Sequence, residues 1–272
     1  MASLRIGLIG CGRISQNVHL RCLARLPGVE VAALAESDAG RREEAACHAP
    51  KAAAFGDYRD LLELREVDAV VICLPNGLHA QAGITAMESG NHVYLEKPLA
   101  TNVADGRRLV KAWRRTGMIG MVGFNYRFQP LYQRLKQQLQ AGQLGELTGV
   151  SSVFSTAARP LPEWKLRRDS GGGVLLDLGS HHIDLICYLL EQPVCDVFAR
   201  IRSGRSEEDT AVLQLRLASG LTAQCFFSLN AVHEDRLQLY GTAGKLAADR
   251  YVSADVEISD PFRNLARIKK LA

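Results

Sequence analysis

Three groups of residues in this sequence could do chemistry. The first is GGGVLLDLGSHHID at 171–184. On a helix advancing 100° per residue, Asp177, His181 and Asp184 fall within about 60° of one another. A carboxylate one turn before an imidazole can hydrogen-bond it, fix its tautomer and raise its basicity, which suits a general base. The plainer reading is a polar helix face with a surface ion pair. His182 points about 140° away from Asp177 and reads as structural. The second group is Gly10-Cys11-Gly12-Arg13-Ile14-Ser15. Gly10 permits a tight turn, Gly12 lets a backbone approach a pyrophosphate, and Ser15 is small enough for the position that packs helix on strand. Arg13 and Ile14 open the following helix, whose first amides face the phosphates. Glu36, just past VEVAALA (29–35), can accept hydrogen bonds from a ribose and repel a 2′-phosphate. That favours NAD, while Arg41 and Arg42 nearby keep NADP as a second reading. The third group is a pair of loops, LPNGLH (74–79) with Pro75, Asn76 and His79, and YLEKPL (94–99) with Glu96 and Lys97. Pro98 holds Lys97 extended, and only an X–Pro bond adopts cis readily. Lys97 is read either as aimed into a cleft or as a solvated surface lysine.

These residues need elements to hold them. Apolar runs recur at 4–10, 29–35, 51–55, 68–74, 92–96 and 118–122. None alternates strictly, as expected of strands covered on both faces. Helix-length segments lie between them. The pattern predicts an α/β fold, a doubly wound parallel Rossmann sheet over residues 1–123. Ligands of such sheets bind beyond the carboxyl ends of the strands, where the glycine turn and both loops fall.

The pattern changes over 124–272. A helix is expected at 130–141, a strand at 147–156, one strong helix at 174–190, then strands at 194–202, 210–218, 221–230 and 235–240. Successive strands with tight turns predict an α+β domain with a mostly antiparallel open sheet, one face covered by the strong helix. Its other face is expected to be partly apolar and to pair with a second copy, giving a homodimer or homotetramer. Arg127 reads equally as a substrate contact or as the partner of an interface carboxylate. Trp164 reads as a face for a sugar ring or as a loop anchor.

Composition removes several classes. Net charge is +4, and Arg263, Arg267, Lys269 and Lys270 near the end carry it, so no basic footprint for nucleic acid remains. No apolar run approaches the roughly 20 residues that span a bilayer. The seven cysteines form no CxxC pair. They read as reduced and mostly buried, in a cytoplasmic protein. No metal site is expected.

The segments GLIGCGRIS (7–15), LPNGLH (74–79), EKPLA (96–100), GFNYRFQP (123–130) and GGGVLLDLGSHHID (171–184) together resemble the glucose–fructose oxidoreductase and inositol dehydrogenase family (Gfo/Idh/MocA). The resemblance implies an NAD(P)-dependent oxidoreductase moving a hydride between a secondary alcohol of a sugar, inositol or related polyol and nicotinamide. It implies that Lys97, Asp177 and His181 are catalytic, with Asp184 capping or orienting a neighbour, and that Arg159, Trp164, Lys165 and Arg168 lie where the family builds its substrate loops, with Arg168 as a further substrate contact. Two alternatives stand beside it: a reductase of a carbonyl or unsaturated small molecule, and a non-catalytic NAD-binding regulator. Family members usually run well past 300 residues and close with a further helix. The second domain here is expected to lack it, with the basic tail at 263–270 as the start of such a helix.

Overall fold

The computed structural model describes residues 3–260. The chain divides into two units, Met1–Gly123 and Phe124–Ala272. The first contains β1 (Leu4–Ile9), α1 (Leu20–Leu23), β2 (Val29–Ala35), α2 (Ala39–His48), β3 (Ala53–Phe55), α3 (Tyr58–Leu62), β4 (Ala69–Ile72), α4 (His79–Glu88), β5 (His92–Leu95), α5 (Val103–Thr116) and β6 (Gly120–Val122). Its six strands are all parallel, in the order β3-β2-β1-β4-β5-β6, the doubly wound arrangement. The unbroken apolar runs follow from this. Ile9, Ala33, Val70 and Ile72 enter one core cluster, while Ile6, Leu8, Leu34 and Val71 enter another. Alternate side chains thus serve opposite, helix-covered faces.

The second unit contains α6 (Pro130–Gln140), β7 (Leu147–Ser155), α7 (Glu163–Leu166), α8 (Ser180–Leu190), β8 (Val194–Arg202), β9 (Thr210–Leu217), β10 (Thr222–Ser228), β11 (Glu234–Gly241), β12 (Gly244–Asp249) and β13 (Glu257–Ser259). The sheet runs β13-β12-β11-β7-β10-β9-β8. It is antiparallel except where β7 lies parallel to β10. The long connection between those two strands, which carries both helices α7 and α8, makes a parallel pairing possible. Strands β12 and β13 were not expected from the sequence. The strong helix does not cover the sheet alone. Leu131, Tyr132 and Leu135 of α6 join Leu185, Ile186 and Leu189 of α8 over Leu213, Leu215, Leu237 and Leu239.

Two expectations need adjustment. All seven cysteines are free, but only Cys11, Cys73 and Cys225 are buried; Cys22, Cys47 and Cys195 are exposed. Helical packing also departs from ideal winding. A π turn occupies Ser15–His19 ahead of α1 and another occupies Leu175–Gly179 ahead of α8. Among the described residues no helix is long and apolar enough to cross a membrane. The basic tail at 263–270 lies outside the described residues.

Candidate functional site

In the first unit the glycine turn is built by local necessity. Gly10 has φ +88°, and a Cβ there would lie 2.8 Å from the Cys73 carbonyl oxygen. Only glycine meets both demands cheaply. Ser15 is fully buried, and its hydroxyl donates to the Gly10 carbonyl, so the third position of the motif stitches the turn closed. Gly12 differs: a Cβ there would meet nothing within 4 Å. Open space stands before this backbone, at the start of a helical segment that begins with Arg13 and Ile14. A dinucleotide's pyrophosphate fits that space and those amides.

Glu36 is 9% exposed and is already engaged. Its Oε2 accepts from Cys11 N at 2.9 Å, and its Oε1 accepts from Asp38 N at 3.0 Å and from an Arg41 Nη at 2.9 Å. Burial pushes this carboxyl up, but Arg41 and the two amides outweigh it and hold Glu36 below the usual carboxylate range. Arg42 donates to the Glu36 carbonyl. The sequence reading placed Arg41 and Arg42 near Glu36 without saying which of them meets its carboxylate. Arg41 is the one that pairs with it, and the carboxylate also braces the glycine turn through Cys11.

The two loops are tied together by His79. This side chain is 1% exposed. Its Nδ1 lies 2.7 Å from the Pro98 carbonyl oxygen and its Nε2 2.8 Å from that of Leu74. Both ring nitrogens are therefore spent on backbone, so His79 positions the two loops that carry the expected cofactor residues. Burial pushes its imidazole down despite the two carbonyls. Asn76 is buried at the start of a short turn, Asn76–Leu78, that follows Pro75. The Lys97–Pro98 bond is cis. Glu96 accepts from Lys97 N and faces His19 Nε2 at 2.8 Å. His19 carried no signal in the sequence, because its partner lies across the sheet.

In the second unit, the π turn over Leu175–Gly179 places Asp177 and His181 at a phase that 100° per residue does not describe. Within the unit, Asp177 Oδ1 accepts from Lys165 Nζ at 2.8 Å. The His181 ring stacks on Tyr126, centroids 4.5 Å apart and planes 21° apart. Tyr126 is in turn fixed by Asp235, whose Oδ2 accepts from the Tyr126 hydroxyl and from Arg250 Nε, both at 2.7 Å. Asp235 Oδ1 accepts from the Tyr132 hydroxyl at 2.9 Å and faces His182 Nε2 at 3.0 Å. A carboxylate only accepts, so that imidazole nitrogen carries the proton. His182 is fully buried, with Nδ1 on Ser152, and is structural. Burial pushes the Asp235 carboxyl up, but His182, Arg250 and Tyr126 together hold it far below the carboxylate range.

The remaining candidates have partners. Arg127 grips Asp184 with two nitrogens, Nε to Oδ2 at 2.8 Å. Of its two readings the structure supports the carboxylate partner, and that partner lies in the same unit, so Asp184 does orient a neighbour. Arg168 pairs with Glu208 at 3.1 Å. Trp164 is half-buried, with the Lys165 ammonium 5.4 Å from its ring centre. Asp235, Tyr126, Tyr132 and Arg250 were missed as a group. Among the described residues no cluster of His, Cys, Asp or Glu could hold a metal ion.

A six-stranded doubly wound unit with a phosphate-ready glycine turn, followed by a sheet carrying an acid–imidazole helix, defines a class of nicotinamide-dependent oxidoreductases. Comparison with known proteins agrees. Residues 4–124 match the oxidoreductase family with NAD-binding Rossmann fold, and residues 132–247 match the GFO/IDH/MocA C-terminal domain. The chain belongs to the Gfo/Idh/MocA oxidoreductase family. It is 31% identical over 262 residues to the uncharacterized oxidoreductase YrbE of Bacillus subtilis, covering 93% of this chain and 76% of that protein. It is 30% identical over 266 residues to myo-inositol 2-dehydrogenase of Thermotoga maritima, covering 94% and 78%. The structure of KijD10, a 3-ketoreductase from Actinomadura kijaniata in complex with NADP and TDP-benzene, matches with a TM-score of 0.86 at 27% identity, covering 95% of this chain and 82% of that one.

Proposed function

We propose that this oxidoreductase moves a hydride between a secondary alcohol of a sugar, inositol or related polyol and a nicotinamide, with Lys97, Asp177 and His181 as its catalytic residues. The observation that carries this reading is the acid–imidazole helix of the second unit, where Lys165 holds Asp177 and Tyr126 holds the His181 ring. Gly10, Gly12, Arg13, Ile14 and Glu36, with Pro75, Asn76, Glu96 and Lys97 on the two loops, would hold the cofactor. Bound there, the dinucleotide supplies a nicotinamide that takes or returns a hydride. His181 takes the hydroxyl proton as general base. Lys97 donates a hydrogen bond to the substrate oxygen and stabilises the developing alkoxide. Asp177 orients the imidazole or an adjacent substrate hydroxyl. Glu36 makes NAD the expected cofactor, and its Arg41 partner makes NADP the second.

Reduction of a ketone is the second reading, favoured by the likeness to a 3-ketoreductase. The same residues serve it in reverse, with His181 returning the proton. The outward side of the second sheet exposes Phe198, Val212 and Tyr240, and a homodimer or homotetramer through that side is proposed; light scattering that finds a monomer removes it. Seven free thiols suit the reducing interior of a cell, and a cytoplasmic location is proposed.

The test is a panel of polyols, inositols and their ketones, followed by the absorbance of reduced nicotinamide. His181→Ala should cut turnover roughly 10²–10⁴-fold. Lys97→Ala should lower kcat far more than cofactor affinity. Normal turnover in both variants would remove the assignment.

A further inference from the structure

The second unit holds a cavity of ≈ 250 Å³ that the hydride-transfer reading does not use. Its wall includes Thr156, Arg159, Leu161, Leu166, Arg205 and Asn230. Arg159 comes from the segment after β7, and Arg205 from the connection between β8 and β9. The cations around it are already paired: Lys165 with Asp177, Arg167 with Asp169, and Arg168 with Glu208. Arg159 and Arg205 are in no ion pair among the described residues. Two arginines from separate loops line one cavity, neither of them in an ion pair among the described residues, and together they are a recognition element for an oxyanion.

The connection carrying Arg205 is held in place. Asp209 is 2% exposed. Its Oδ2 accepts from the backbone amides of Gly204, Arg205 and Ser206 and from Asn230 Nδ2. One carboxylate thus anchors both the Arg205 backbone and Asn230. Thr156, also in the wall, is 7% exposed, and its hydroxyl has no hydrogen-bond partner among the described residues. A polar atom left so is uncommon and marks a place where a ligand or water completes the bonding. Leu161 and Leu166 give the cavity apolar sides. Leu166 also ties the cavity to the acid–imidazole helix, because the preceding Lys165 holds Asp177. Pockets for drug-sized ligands span about 300–1,000 Å³. This cavity falls just under that range and suits a single ring with its substituent, not a whole nucleotide.

We propose that this cavity binds the oxyanion of an acidic sugar substrate, a carboxylate or phosphate carried on the ring, with Arg159 and Arg205 as the specificity-determining residues. The proposal deepens the reading of the protein as a sugar or polyol oxidoreductase and rests on it for the word substrate. Binding itself is read without turnover. Calorimetric titration of the full chain with glucuronate, glucose 6-phosphate and glucose supplies the three arms. At least one acidic sugar should bind roughly tenfold or more tightly than glucose, the scale of one charge-assisted hydrogen bond, and the advantage should shrink with added salt. The tighter of the two acids assigns carboxylate or phosphate. Arg159→Gln and Arg205→Gln should each remove most of the advantage while leaving glucose binding and the thermal midpoint unchanged. Equal binding of glucose and both acids, or an advantage that survives both substitutions, overturns the proposal. Acidic sugars that bind through these arginines but undergo no redox reaction would support the cavity and count against the oxidoreductase reading. Oxidation of neutral polyols with no acid advantage would do the reverse.

Discussion

Asp235 is the residue whose replacement should cost the second unit most. It is fully buried on the apolar side of β11, in line with Leu237 and Leu239. Four groups converge on its carboxylate: Tyr126, Tyr132, His182 and Arg250. Asp235→Asn keeps the volume and can keep the two bonds at Oδ1. It turns an NH₂ group toward Arg250 Nε, donor against donor, and leaves a half-buried guanidinium without its charge. Breaking a buried pair from one side costs about 3–5 kcal/mol. At about 2–4 °C per kcal/mol for a unit of this size, the melting midpoint should fall by roughly 6–20 °C. The sign with pH is also set. The folded carboxyl lies below its unfolded value of about 3.9, so its contribution is present above that pH and is lost as pH falls through the folded value. The variant should therefore show a flatter loss of stability in acid than the parent. Thermal melts followed by circular dichroism across pH measure both effects. Arg250→Met should be damaging alone and much milder in the Asp235→Asn background, since the interaction it removes is already gone. Dinucleotide binding, which belongs to the first unit, should persist in all three proteins at low temperature. A midpoint shift below about 2 °C for Asp235→Asn, or additive losses in the double variant, would refute the account of this network.

Three shorter predictions concern the first unit. Gly10→Ala should lower stability, because φ +88° and a Cβ 2.8 Å from a carbonyl oxygen both resist it, whereas Gly12→Ala, which meets nothing within 4 Å, should leave the melt unchanged and weaken dinucleotide binding in a fluorescence titration. Arg41→Ala should sharpen preference for NAD over NADP by unmasking the Glu36 charge, and Glu36→Ser should improve NADP by freeing Arg41; unchanged ratios in both would show that the pair does not face the ribose. His79 is buried with its pKa lowered by that burial, so its neutral form stabilises the fold above the unfolded value of about 6.5, and that contribution is lost progressively below 6.5 as pH falls through the lower folded value; His79→Asn should flatten the pH dependence of the melt below about pH 6.5.

How much of this was legible in the sequence depended on whether the signal lay along one element or between elements. The parallel sheet was readable because Ile6, Leu8 and Ile9 are all apolar, and only a strand covered on both faces demands that. β12 was not readable: GKLAAD is short, small and mixed, and it pairs with β11 because the Gly241–Gly244 turn folds it back. The π turns at Ser15–His19 and Leu175–Gly179 were invisible to a 3.6-residue period. One inserted residue turns everything after it relative to everything before it, here His181 relative to Asp177.

The charges show the same division more sharply. Residue type and spacing found Glu36, Asp177, Asp184 and Arg127, all of them polar groups on elements that needed no polar group there. Spacing could not say what faces each one. Arg41 sits one helical turn into α2 and answers Glu36; Lys165 comes from a separate short helix and answers Asp177; Asp184 is answered by Arg127 from before α6. Asp235 did leave one trace, an acid on the parity of β11 that otherwise carries leucines. A carboxylate there must be paired, since burying it alone would cost far more than any strand returns. Parity alone therefore predicts that partners exist. Naming them requires the fold, because Tyr126, Tyr132, His182 and Arg250 stand on four different segments that only packing brings together. An arginine in no ion pair is available to an incoming anion, whereas one already gripping a carboxylate is spent on holding the fold. That distinction separates Arg159 and Arg205 from Arg127 and Arg168, four arginines of one unit that the sequence alone could not rank.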